Sequence, residues 1–187
     1  MANYLKCVVE VHGNEETIKK LDEMLSTVKN GDVTSFAQTF YDQVDVTEND
    51  GVLNTWSIDN LGPKWTYLED IIGDGNFITI SAWYPPTKFF THLYKMLSET
   101  DPDLFIEVEY EDESYDPIGA LVIKKDKDGT PCMWQEEDEM EDPTAEMDWD
   151  DEDYDETQEN FMESIYERQQ ELKRECHDLV ETDGEPI

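Results

Sequence analysis

The sequence predicts an α+β fold: one antiparallel sheet with two helices on one face, followed by an acidic extension that ends in a helix. Three observations carry this. Strand-like alternation and helix-like spacing succeed one another through the first 125 residues. Residues 136–159 then hold fifteen Asp or Glu in twenty-four positions, without a single Lys or Arg. Beyond that tract, apolar residues recur every three or four positions.

The elements follow in order. Leu5, Cys7, Val9 and Val11 alternate with Lys6, Glu10 and His12, the mark of a half-buried strand. Asn14 is placed to cap a helix with apolar positions Ile18, Leu21, Leu25 and Val28, stopped by Asn30-Gly31. Phe36, Phe40 and Tyr41 keep helical spacing, and residues 47–51 read as a turn. Val52, Asn54, Trp56 and Ile58 alternate, predicting a second strand. After a loop over residues 60–65 and a short piece around 67–72, residues 76–83 are β-branched and aromatic, a third strand that Pro85-Pro86 ends. Pro86 opens a helix with the buried stripe Phe89, Phe90, Leu93 and Leu97. Leu104, Ile106 and Val108 predict a fourth strand and residues 118–125 a fifth, before the Asp128-Gly129 turn. The economical solution is the ferredoxin-like split βαβ arrangement. The expected units are this domain over 1–125, an acidic linker over 126–156, and an amphipathic helix over 157–182.

The formal net charge is −35, with −15 in residues 1–135, −15 in the tract and −5 in residues 160–187. Unpaired carboxylates cost several kcal/mol each to bury, so the tract is not core. It shares its sign with nucleic acid and anionic membranes, and so approaches neither unaided. It faces water, cations or a basic protein surface; a halophilic source is the alternative origin of such an excess. Cys7, Cys132 and Cys176 are odd in number and scattered, which points to a reducing compartment. The opening residues lack a basic region followed by an apolar run, and nothing reaches membrane-spanning length, so a cytoplasmic protein without a signal peptide is expected.

Catalytic signals are weak. His12, His92 and His177 show no metal-ligand spacing, and Gly73-Asp74-Gly75 lacks the third glycine and the lysine of a phosphate loop. Residues 148–159 begin like an EF-hand and end on Glu159, but Asp153 occupies the sixth position, where the sharp turn needs glycine. No cofactor, metal or catalytic residue is expected. Lys64, Trp65, Trp83 and Tyr84 offer an aromatic pair and a cation to a planar ligand; otherwise Trp83 is core and Lys64 a structural ion pair.

In the last helix Met162, Ile165, Gln169, Leu172, Cys176 and Leu179 keep three-four spacing. Ile165, Leu172 and Leu179 form one seam, expected to bury against the domain or, in a homodimer, against a second copy. Glu163, Glu167, Glu171 and Glu175 succeed one another at i, i+4, which weakens an isolated helix by ~0.2–0.5 kcal/mol per pair. A locally unfavourable pattern repeated this way is either retained for binding or a solvated face.

Asn3-Tyr4 in the first strand, Leu61-Gly62-Pro63-Lys64-Trp65, Ala82-Trp83-Tyr84-Pro85-Pro86, and Tyr110 with Asp112 or Glu113 ahead of Gly119 occur in an order and spacing that resembles the YubB ferredoxin-like domain family. The resemblance covers residues 1–125 and implies that fold and a phage, plasmid or integrated-element origin, but no reaction. Leu61 stands where the family has its first Trp, and residues 126–187 lie outside the likeness.

Three functions follow as expectations. The first is a non-enzymatic acidic phage or mobile-element protein that binds the basic groove of a host nucleic-acid-binding protein, a DNA mimic acting as an anti-defence or host-takeover inhibitor. Asp148, Trp149, Asp150, Asp151, Asp153, Tyr154, Glu163, Glu167 and Glu171 would meet that partner. The second is a small-ligand-binding domain using Lys64, Trp65, Trp83 and Tyr84. The third is a virion structural or assembly protein.

Overall fold

The computed structural model describes residues 3–41, 50–145, 147–151 and 153–187. β1 (Tyr4–His12) turns Leu5, Cys7, Val9 and Val11 inward, as its alternation requires. Asn14 Oδ1 accepts from the Thr17 amide at 3.0 Å, satisfying a free donor at the start of α1 (Glu15–Leu25). α2 (Val33–Phe40), capped in the same way by Asp32, adds Phe36, Ala37 and Phe40 to the core.

The next segment corrects the sequence reading. Residues 52–58 lie within a helix, α3 (Asp50–Asn60), and not a strand. Alternation over so few residues fits either state, and tertiary neighbours decide. Trp56 packs edge-on against Tyr41 with ring centroids 5.1 Å apart, and the Tyr41 hydroxyl donates to Asn60 O at 3.0 Å. Lys88 Nζ donates to the Ile58 and Asp59 carbonyls at 3.0 and 3.2 Å, a cation at the negative end of the helix. Ile58, inward in a strand, is exposed. Of the turn expected over 47–51, residues 47–49 lie outside the described residues, and Asp50 and Gly51 begin α3.

β2 (Thr66–Gly73), β3 (Asn76–Ala82), α4 (Thr87–Ser98), β4 (Phe105–Asp112) and β5 (Ile118–Lys125) follow. The sheet then continues into the segment read as linker, with β6 (Pro131–Asp138), and closes with β7 (Glu185–Pro186) after α5 (Tyr154–Val180). All pairings are antiparallel, in the order β2-β3-β1-β4-β5-β6-β7. The fold is therefore α+β: among the described residues, a seven-stranded open antiparallel sheet with five helices.

The two faces of the sheet differ. On one, α1, α2 and α4 bring Leu21, Leu25, Phe36, Phe40, Phe89, Phe90, Leu93 and Leu97 into a single cluster with β1, β4 and β5. On the other, among the described residues, lies α5. Leu121 and Ile123 of β5 join the first cluster, whereas Ala120 and Val122 meet Leu172, Cys176 and Val180 of α5. A strand covered on both faces reads as a nearly continuous apolar run, as IGALVI does. Near its start Tyr110 crosses the backbone of Gly119, its partner in register. A Cβ on residue 119 would stand 2.2 Å from Tyr110 Cζ, so only glycine fits.

The buried stripe of α5 is Phe161, Ile165, Gln169, Leu172, Cys176 and Val180. Met162 is exposed and Leu179 only half-buried, so the two ends of the expected three-four stripe shift by one residue, to Phe161 and Val180. Steps of four, four, three, four and four average more than 3.6, and the stripe rotates around the helix as it crosses a twisted sheet. Ile165 and Leu172, each 1% exposed, are covered by the chain itself. Two of the three residues named for a homodimer, Ile165 and Leu172, are therefore already covered within the chain.

Across β1 and β4 the contact of α5 is polar. Lys173 meets Glu109 and stands 3.6 Å from Glu10 and 3.9 Å from Glu107. Burial pulls the Lys173 ammonium down, but these carboxylates outweigh it and leave it above its ordinary value. Burial likewise pushes Glu107 up, yet the His177 hydrogen bond, with Lys173 and His12 nearby, brings its carboxyl down to about 2. Farther along the same face, over β1, β3 and β2, Val8, Ile78 and Ile80 remain half-buried.

Candidate binding surface at one end of the sheet

Register decides which loops meet. Tyr4 pairs with Ala82, Thr66 with Ser81, Leu5 with Asp112, and Ile118 with Asp138. One end of the sheet therefore collects the 61–65 loop, the 83–86 turn, the 112–117 turn and the start of the acidic segment after Asp138. The Met140 amide donates to Tyr115 O at 3.1 Å and ties that segment down. Tyr115 packs edge-on against Phe161 at 5.1 Å, which brings the first turns of α5 to the same end.

The aromatic part is built by two loops. The Ala82 amide donates to Trp65 O at 3.2 Å, and the Tyr84 hydroxyl donates to Gly62 O at 3.1 Å. The Trp65 ring lies 5.3 Å from Tyr4 and stacks on Tyr67 at 5.8 Å. Lys64 is half-buried in the loop between Gly62 and Trp65. Trp83 has φ 68°, a left-handed backbone that costs an ordinary L-residue ~1–2 kcal/mol. The Trp83 amide donates to Asn3 O at 3.2 Å and the Tyr84 amide to Ala82 O at 2.9 Å, which hold the turn. This strained turn projects Trp83 and Tyr84 outward beside Tyr4 at the start of β1, all three 45–49% exposed. Strain of that kind persists where the surroundings over-determine it, and it collects at functional sites. Leu61, by contrast, is fully buried in the main cluster.

The acidic part begins with Asp148, Asp150, Asp151 and Asp153, all exposed, beside Trp149 at 83% exposure and a half-buried Tyr154. Asp151 accepts from the Asp148 amide at 3.1 Å and so shapes the turn ahead of α5. Asp155 and Glu156 occupy the first turn of α5, where negative charge suits the helix dipole. Glu163, Glu167 and Glu171 are exposed. Glu171 meets Arg168 at 3.1 Å, and the same guanidinium meets Asp138 at 2.9 Å and Glu175 at 3.5 Å. The lower part of the carboxylate ladder is thus partly neutralised. Glu163 and Glu167 have no ion-pair partner among the described residues.

The sequence reading treated the aromatic loop and the acidic tract as separate candidates; register brings them to one end of the sheet. Tyr4, present in the sequence only as half of the Asn3-Tyr4 pair, joins this surface, as do Tyr67 and the exposed Tyr166, single aromatics on a strand and a helix that carry no binding motif. A cleft of about 230 Å³ runs between Lys6 and Val8 of β1 and Met162 and Tyr166 of α5. That is below the ~300–1,000 Å³ usual for small-molecule pockets. Compared with known proteins, the chain matches no family model, no curated protein and no solved structure.

Proposed function

We propose that this is a non-catalytic binding protein that presents one acidic, aromatic end of its sheet to the basic groove of a nucleic-acid-binding protein, and so inhibits it as a nucleic-acid mimic. One observation carries the reading: exposed Tyr4, Trp83 and Tyr84 share a sheet end with the start of the acidic segment and of α5. Interfaces draw their affinity from a few aromatic and Arg anchors, while charge supplies steering and register. Duplex DNA carries one charge per ~1.7 Å of axis. Carboxylates four residues apart on α5 rise ~6 Å each, so the tract must contribute beside the helix. The order β2-β3-β1-β4 supports the ferredoxin-like reading of the first four strands. With the resemblance to phage and plasmid proteins, it makes a host defence or replication factor the natural target. No described helix is long and apolar enough to cross a membrane, and a cytoplasmic setting is part of the proposal.

The test is competition. A partner recovered from host lysate loses its nucleic-acid binding when this protein is added, and the complex weakens steeply with salt, since exposed charges are screened over ~8 Å at physiological ionic strength. Replacing Asp148, Asp150, Asp151 and Asp153 with Asn, and Glu163 and Glu167 with Gln, abolishes the inhibition with the fold intact. Equal binding by parent and neutral variant overturns the mimicry. The strained, exposed Trp83 favours a second reading, a planar ligand gripped by Trp83, Trp65 and Lys64. Under that reading Trp83→Ala removes binding of a small molecule and leaves the protein complex unchanged.

A further inference from the structure

Where α5 crosses β1 and β4, two histidines 165 positions apart converge on one carboxylate. His12 Nε2 lies 2.9 Å from Glu107 Oε2, and His177 Nε2 bonds Glu107 Oε1. Glu10 Oε2 is 3.7 Å from His12 Nε2. The donor atoms of Glu10, His12 and Glu107 all fall within 4.8 Å of one another. Phe105 orients both imidazoles: it stacks on His12 at 4.2 Å with planes 7° apart, and His177 meets it edge-on at 5.9 Å.

We infer that His12, His177, Glu107 and Glu10 form a binding site for a divalent transition metal of the zinc class, which staples α5 to the N-terminal strand. The donor set is the first reason. Two imidazoles with two carboxylates complete a four-coordinate shell, and imidazole selects Zn²⁺, Co²⁺ or Ni²⁺ over Mg²⁺ and Ca²⁺. Geometry is the second. Ligand atoms at ~2.1 Å from a tetrahedral ion stand about 3.4 Å apart; Glu10, His12 and Glu107 already cluster near that scale, and His177 joins them through the other oxygen of Glu107. Charge is the third. Glu10, Glu107 and Glu109 crowd one polar patch, and Lys173 is the ammonium among them. Lys173 keeps Glu109, which also accepts from Gln170 Nε2 at 2.7 Å, while the metal takes Glu10 and Glu107. His92 stands apart, its Nε2 2.9 Å from Phe40 O. The site escapes any sequence motif because its ligands come from a strand end, the facing strand and the last helix.

Titration with ZnCl₂, and with MgCl₂ in parallel, tests this. One Zn²⁺ per chain is expected, with a thermal midpoint raised by several degrees and no comparable effect of Mg²⁺. Co²⁺ should give the intense visible bands of tetrahedral nitrogen–oxygen coordination. His12→Gln and His177→Gln, which keep a hydrogen bond to Glu107, should each weaken Zn²⁺ binding by at least ~10-fold, since even outer-shell changes cost that much. Glu23→Gln, on the exposed side of α1, should change nothing. Should both histidine variants unfold, the imidazole ¹⁵N resonances of the parent decide. Zinc-induced shifts at His12 and His177 but not at His92 support the site. Zn²⁺ held no tighter than Mg²⁺, equal Zn²⁺ affinity in the histidine variants, or unshifted His12 and His177 overturns it.

Discussion

The two faces of the sheet are covered by different physics. Over the first, three helices bury a continuous apolar cluster that is almost wholly at 0% exposure. Over the second, α5 buries a smaller apolar strip on β5 and β6, then an ionic patch on β1 and β4. Apolar burial contributes ~25 cal/mol per Å² and does not depend on the charge state of side chains. Ion pairs must first recover the cost of desolvation. The first face thus carries the larger apolar burial, whereas α5 is held by a smaller apolar strip together with ion pairs.

The largest test of that contrast is truncation in each core. Phe89→Ala, in the three-helix cluster, should cost about 3–5 kcal/mol and lower the whole denaturation midpoint. Leu172→Ala, under α5, should cost about 2–3 kcal/mol, near the low end for buried leucine because fewer neighbours surround it. Equal losses would erase the distinction between the faces. Gly119→Ala comes next. The added methyl meets the Tyr110 ring and should destabilise by about 1–3 kcal/mol. Combining it with Tyr110→Ala should recover part of that loss, a non-additivity that a double-mutant cycle reads directly.

Thiol chemistry separates the faces kinetically. Burial pushes the Cys176 thiol up to about 12 and raises Cys7 and Cys132 as well, so all three stay protonated near neutral pH. Each should resist a thiol reagent in the native protein. Under mild denaturant Cys132 and Cys176, beneath α5, should react before Cys7, beneath the three helices. Simultaneous reaction would mean that α5 detaches only on global unfolding. The smallest effect belongs to the Arg168–Asp138 pair. Its hydrogen bond holds Asp138 below the ordinary value of 3.8, so the stabilisation is present above that pH and is lost as pH falls through the lower folded value. The pair is only half-buried, and Arg168→Met should cost under ~1 kcal/mol at neutral pH.

The faces also differ in how well the sequence announces them. The stripe of α4, the alternation of β1 and the Asn14 cap are local patterns, read correctly because neighbouring residues create them. β6 was hidden by its acids: Cys132 is buried while Glu137 faces water, and the charge of Glu136, Glu137 and Asp138 masked a short alternation at the side of the sheet. For α3 the alternation was real but too short to outweigh the pull of Tyr41 and Lys88 on a helix. Leu179 gave way to Val180 because a helix on a twisted sheet does not keep a straight seam.

By itself, the sequence determined the α+β class, the long last helix, the acidic surface and the exposure of the aspartates ahead of α5. These depend on periodicity, capping and the cost of burying charge, all of which act over a few residues. Only the tertiary structure decided that α5 lies on the face opposite α1 and α4. It alone brought the Trp83 turn to the end of the sheet where the acidic segment begins, and His12 and His177 to the two oxygens of Glu107. Those outcomes depend on strand register and side-chain reach between segments up to 165 residues apart, which no local pattern encodes.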